Sequence, residues 1–309
     1  MRYNLNSGYG AAMAASMLFA GSGKIFIVGD SGTVNLGNLQ ELFIPDPDGA
    51  NRFYATVDAA LGACTADAGD VILVMPGHTE TISAATSCDL DKAGVTIIGL
   101  GNGTLRPTFN FTTATTAQIN VDAANVKVVN CIFDLTGVDA VAAGIDVNAN
   151  DFTLEKCHFI MGDSDGQAVL GVLTDTNIDR LSVIGCSFMG DTIAGPAAAI
   201  RIIGGVEHVI RGNNIQGSFS QAPVALVTTA PLRVLIEDNV LFNAVASGVA
   251  AIQAVAGASG VVRYNSMHIT NTDLGGWINT PGDLVAYENY GTKKLGETGA
   301  LDITGAVSV

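Results

Sequence analysis

The side chains best able to do chemistry in this 309-residue chain are four histidines, five cysteines and 29 Asp and Glu. The histidines, His78, His158, His208 and His268, stand at least 50 residues apart. A metal centre needs several ligands converging on one ion, and neither H-E-x-x-H nor C-x-x-C occurs. The cysteines, Cys64, Cys88, Cys131, Cys157 and Cys186, are odd in number and fit buried reduced thiols better than a disulfide framework. Among the carboxylates, Asn271-Thr272-Asp273 has the form of a sugar-hydrolysis motif, a reaction that needs two carboxylates across the scissile bond. The Asp-Asp, Gly-His-Gly and Arg-Ile-Lys segments that should accompany it are absent, and Arg201-Ile202-Ile203 lacks the lysine. Asp163-Ser164-Asp165-Gly166 opens like a calcium loop without the later ligands, and reads as a solvated turn. Asp134, Asp139, Asp175, Asp179 and Asp191 read as edge charges that keep strands from pairing with other molecules. The residues therefore predict no catalytic group, no cofactor and no metal.

What these residues are mounted on is legible from composition and spacing. The chain is 48% hydrophobic but only 14% charged and 6% aromatic, with 37 Gly, which excludes disorder and predicts a core of Val, Ile, Leu and Ala rather than rings. Its formal charge of −15 repels phosphate backbones and anionic lipid, so nucleic acid and membrane are excluded as partners. The apolar run Ala11 to Gly21 is too short to span a bilayer. It reads as part of an arm.

Short segments recur: VKVVNCIF (126–133), FTLEKCHF (152–159), LSVIGCSF (181–188), HVIRGNNI (208–215), VLIEDNVL (234–241) and VVRYNSM (261–267). Each alternates apolar residues, then places Cys or Asn, then an apolar residue two further on. The markers Cys131, Cys157, Cys186, Asn213, Asn239 and Asn265 step by 26, 29, 27, 26 and 26, and Asn289 follows 24 later. A second series, Ile119, Ile145, Val172, Ile200, Leu226, Ile252 and Ile278, keeps the same period. That period is too short for a propeller blade and lacks helical periodicity. It predicts an all-β, single-stranded parallel β-helix of seven to nine coils over 70–290, each strand stacked on its equivalent about 4.8 Å away. The six markers are then a structural ladder pointing inward, Asn as hydrogen-bonding rungs and Cys as a small apolar stack. Solenoid ends need caps, and Thr56 to Asp67 places Val57, Ala60, Leu61 and Cys64 on one face of a capping helix.

With ATVDAALGACTADAGDVILVMPGHTET ahead of the Cys/Asn ladder, the chain resembles the pectate-lyase-like right-handed β-helix superfamily. From GKIFIVGDSGT (23–33) through LQELFIPDPDGANRFYATVDAAL (39–61) it also resembles capsid-associated virion proteins of tailed bacteriophages. The domain reading is an N-terminal arm over 1–50, the β-helix over 51–290 with its capping helix at 56–67, and a C-terminal tail over 291–309. The resemblance implies a non-enzymatic structural protein on the virion's capsid surface, a decoration (cement) or head-spike protein. Its partners would be the major capsid protein or another virion protein, with a homotrimer as the assembly. Tyr3, Met17, Leu18, Phe19 and Phe26 are the attachment residues of that reading. The alternatives are a tailspike or tail fibre that binds or cleaves a host-surface glycan, and a secreted polysaccharide lyase or hydrolase. Against a glycan groove stand one Trp, Trp277, and six Tyr lying mostly outside the repeats.

Overall fold

A computed structural model describes residues 23–29, 52–163, 166–193, 195–245, 249–270, 278–279, 283–292 and 301–303. The chain winds as a parallel β-helix, with three sheets running along its length. The first holds 11 strands, the second 11 and the third seven, counted among the described residues. One turn of chain shows the rule: Lys127–Val129 lies in the first sheet, Ile132–Gly137 in the second and Ile145–Val147 in the third, before Thr153–Glu155 starts the next coil. From Val71–Val74 to Asp283–Tyr287 the first sheet stacks nine such rungs. Every neighbour within this run is parallel and in register, as in Val128↔Leu154↔Val183↔Ile210↔Ile236↔Val262.

The alternation of the strands explains the winding. In Thr153–Glu155 and Lys127–Val129 the middle residue is buried while its neighbours face out, so each short strand commits one side chain to the core and the chain must then turn. Turning is done by residues in the left-handed region. Asn130, Lys156, Gly185, Gly212, Asp238, Tyr264 and Glu288 occupy it between the first and second sheets, and Asn125, Asp151, Arg180, Glu207 and Arg233 between the third and first. Asn, Asp and Gly fill such positions with least strain; the larger residues are held there by the coils above and below.

The core corrects the composition argument. Although the chain is poor in rings, Phe109, Phe133, Phe159 and Phe188 point inward from the second sheet as one column, with centroids 5.4, 4.7 and 4.4 Å apart. A solenoid repeats one inward position per coil, so a few rings placed at that position make a continuous stack. Phe111, Phe152 and Phe219 are also fully buried. Where Val57, Phe109 and Ile145 meet, a wholly apolar void of about 10 Å³ remains, room for about one water at most. A separate small apolar cluster, Ala143, Leu170, Ala198, Ala222 and Ala225, covers part of the third sheet.

The N-terminal end differs from its reading in two respects. Helix α1 runs only over Val57–Ala63, because Cys64 turns extended and the following amides are claimed from outside the helix: Thr65 N donates to Asp70 Oδ2 at 2.7 Å and Asp67 N to Ala93 O at 2.7 Å. The solenoid also starts within the segment read as the arm. Strand Ile25–Val28 pairs in parallel with Val71–Val74, and Phe26, grouped with the attachment residues, is 3% exposed in the core beside Tyr54. Tyr3, Met17, Leu18 and Phe19 lie outside the described residues, as do Asn271 to Asp273 and Trp277. At the other end, Leu301–Ile303 of the segment read as a tail pairs antiparallel with Asn289–Thr292.

Candidate functional site

The corner between the first and second sheets holds the ladder. Cys131, Cys157, Cys186, Asn213, Asn239 and Asn265 occupy one inward column, each 0–1% exposed, and Asn289 continues it. Each asparagine bonds in two directions. Its Oδ1 accepts the main-chain N–H of the column residue one coil back: Cys186 to Asn213 at 2.8 Å, Asn213 to Asn239 at 2.9 Å, Asn239 to Asn265 at 3.0 Å and Asn265 to Asn289 at 3.0 Å. Its Nδ2 donates to a carbonyl of the neighbouring coil, Val183, Ile210, Ile236 and Val262 in turn, at 2.8–2.9 Å. Corner amides that the sheets cannot reach are satisfied this way.

The cysteines are more than an apolar filler. Cys157 Sγ donates to Val128 O and Cys186 Sγ to Leu154 O, both at 3.7 Å, the carbonyls that correspond by register to the acceptors of the asparagines. Thiol and amide thus reach the same carbonyl position one coil back from Cys157 through to Asn289, the sulfur as the weaker partner. Burial pushes the thiols of Cys131 and Cys186 well above the ordinary cysteine range, which removes them from thiolate chemistry. Cys88 is raised in the same way, and burial with Asp70 nearby pushes Cys64 up to about 12. All five cysteines are free thiols.

Outside the core, charge is arranged in rows. On the first sheet Arg211, Glu237 and Arg263 stand on successive rungs, with Arg211 Nε on Glu237 and Arg263 Nη2 at 2.7 Å from it. Burial works to raise the Glu237 carboxyl, and the hydrogen bonds from Arg263 and Arg211 outweigh it, holding it below the usual carboxylate range. Lys127–Glu155 and Arg180–Asp151, each 2.6 Å, repeat the device elsewhere along the solenoid.

The outer face of the third sheet carries a different set. Gln118 Nε2 donates to Asn120 at 2.7 Å and to Asp146 Oδ2 at 3.2 Å, and two rungs further on Arg201 grips Gln221 Oε1 through Nε and Nη2 at 3.0 and 2.7 Å. Partial burial, with Asp175 nearby, holds the Asp146 carboxyl above the usual range. That is the state a general acid requires. Leu173 occupies the rung between Asp146 and Arg201, so these two residues stand on strands about 10 Å apart, two strand spacings.

One polar pair within the first coil was invisible in the sequence. His78 and Glu80 are 2% and 5% exposed, with His78 Nε2 and Glu80 Oε2 3.3 Å apart. The Glu80 carboxylate accepts the Val57 N–H at 3.0 and 3.3 Å, while Thr56 Oγ1 accepts Ala59 N–H at 3.2 Å, so two groups cap α1. The pair faces the interior and serves that joint. The remaining histidines do not join it. His158 and His268 sit in different rows of the second sheet's outer face, the latter stacked on Phe242 at 5.1 Å. His208, fully buried, accepts Leu181 N–H at Nδ1 and holds Gly204 O at 2.8 Å through Nε2. Among the described residues no group of His, Cys, Asp and Glu is placed to hold a metal ion.

No family model matches the chain, and no curated protein matches it in sequence. A solved structure similar to it is a pectate lyase from Bacillus sp. N165 in complex with trigalacturonate. The two share 13% identity at a TM-score of 0.47, over 93% of this chain and 88% of that one. The architecture rests on the strand pairing itself: three parallel sheets, one coil per repeat.

Proposed function

We propose that the chain is a non-enzymatic structural protein of a tailed-bacteriophage virion, a decoration or head-spike protein on the capsid surface. The observation that carries this reading is the relay from Cys157 to Asn289, in which the polar groups inside the solenoid are spent on joining coil to coil. A rod stabilised at every repeat by burial, ring stacking and internal hydrogen bonds meets the mechanical demand on a virion part. In this reading the N-terminal arm, apart from the paired strand Ile25–Val28, supplies contacts to the major capsid protein or another virion protein, and three copies share one base as a homotrimer. Antibody labelling or image reconstruction of purified virions tests it. Density on the capsid lattice supports the proposal, and absence from the particle overturns it.

The second reading is a glycan-handling protein, favoured by the raised Asp146 carboxyl and Arg201 sharing the outer face of the third sheet. Assays on bacterial surface polysaccharide and polygalacturonate for new reducing ends or unsaturated uronates separate the two. Turnover that is lost in Asp146→Asn would replace the structural reading.

A further inference from the structure

Three of the chain's six tyrosines, Tyr264, Tyr287 and Tyr290, meet at the corner between the first and second sheets in the last coils. Their side chains flank the ladder, and the Tyr287 carbonyl accepts from Asn289 Nδ2 at 3.1 Å. Tyr287 lies on the outer face of the first sheet opposite Arg263, Tyr290 on the second opposite Ser266, and Tyr264 on the corner between them. Tyr264 and Tyr290 are 46% and 64% exposed, and Val285 beside them 57%. The Tyr264 and Tyr287 rings meet edge to face at 6.3 Å and 78°.

Two features mark this corner out from the earlier coils. Tyr264 has φ 58° in a column whose other members are Asn130, Lys156, Gly185, Gly212, Asp238 and Glu288. It is the one aromatic there, a bulky residue held in a strained region and left 46% exposed. Secondly, the cation at the corner is already engaged. Arg263 pairs with Glu237, donates to Tyr287 Oη at 3.0 Å and lies 5.5 Å from the Tyr264 ring centre. The carboxylates of Asp238 and Glu288 are left as the acceptors on the exposed ridge, Glu288 also taking the Tyr264 hydroxyl.

We infer that this corner is a binding surface for a neutral polysaccharide. Sugar rings present apolar C–H faces that pack on exposed aromatic rings and hydroxyls that donate to carboxylates. The surplus of acceptors, on a chain of net charge −15, repels polyanions such as polyuronates and nucleic acid. The surface lies on a different face from Asp146 and goes beyond the structural role, so it stands or falls independently of where the protein resides.

Affinity electrophoresis of the full chain through gels of dextran, mannan, galactan or arabinoxylan tests it, with polygalacturonate as the anionic comparison. The expected result is retardation by at least one neutral polymer and none by polygalacturonate, with affinity weakened about tenfold in Tyr264→Asn and in Tyr290→Ala. Tyr264→Asn should melt no lower than the parent, because Asn tolerates the left-handed region better than Tyr. Tyr290→Ala, at an exposed strand position, keeps the test decisive if Tyr264→Asn fails to fold. Passage through every neutral gel without retardation, retardation that both variants leave unchanged, or stronger retention by polygalacturonate overturns the inference.

Discussion

The ladder residues differ in strength although they share one geometry. Asn239 bonds through both Oδ1 and Nδ2 and satisfies corner groups on each side, so Asn239→Leu leaves buried N–H and C=O groups unpaired and should cost about 1–3 kcal/mol. Cys186 makes the carbonyl connection through a sulfur, to Leu154 O at 3.7 Å, and an asparagine there would strengthen it. Thermal melts should show Asn239→Leu well below the parent and Cys186→Asn at or above it. Equal melting temperatures for Asn239→Leu and the parent would mean that the relay contributes nothing. Two carboxylates outside the core, in contrast, should respond oppositely to pH. Glu237 has a depressed pKa in the fold, so its stabilisation is present above its unfolded value, near 4.3, and is lost as pH falls through the lower folded value. Asp146 has a raised pKa, so its charged form is a cost at neutral pH that protonation relieves. Urea unfolding at pH 7 should find Glu237→Gln less stable and Asp146→Asn more stable than the parent. Both differences should shrink towards pH 3. The same sign for both at pH 7 would contradict these assignments.

At the scale of elements, the phenylalanine column shows what a repeat reveals and what it hides. In NCIF, KCHF and GCSF the ring stands two residues after the ladder cysteine, so spacing alone marks an inward position. The total aromatic content, averaged over the whole chain, concealed that the rings share one position in successive coils. The coils before Cys131 were less legible for another reason: the corner at Gly99 to Gly101 carries no Cys or Asn marker, and Gly99 has no room for a side chain, a Cβ there falling 2.4 Å from Asn130 O. The Asp146 and Tyr264 surroundings left no trace in spacing, because they are made by outward residues that differ from coil to coil. Within the column, Phe159 has a ring on both sides and Phe109 on one. Phe159→Ala should therefore cost about 3–5 kcal/mol and Phe109→Ala less, a difference that denaturant midpoints at constant slope would resolve. A larger loss at Phe109 would show that the void near its end of the column matters more than the stacking.

Over the whole molecule, each coil pairs with the one before and the one after, and among the described residues no strand of the three sheets pairs with a more distant coil. Stability in such an array is a sum of coil and nearest-neighbour terms, so a defect near one end should remain near that end. Glu80 provides the case. Its carboxylate joins α1, through the Val57 N–H, to the first coil and is the hydrogen-bond partner of buried His78, whose Nδ1 has no partner among the described residues. Glu80→Ala removes both bonds at once and should loosen the joint by about 1–3 kcal/mol. Hydrogen exchange should then speed up in Val57–Ala63, Val71–Val74 and Thr96–Gly99. The rungs around Val183, Ile210 and Ile236, four or more coils away, should keep the parent's protection. An equal loss of protection in every coil would instead mean that the solenoid opens as one cooperative unit, with the ladder and the phenylalanine column coupling its ends.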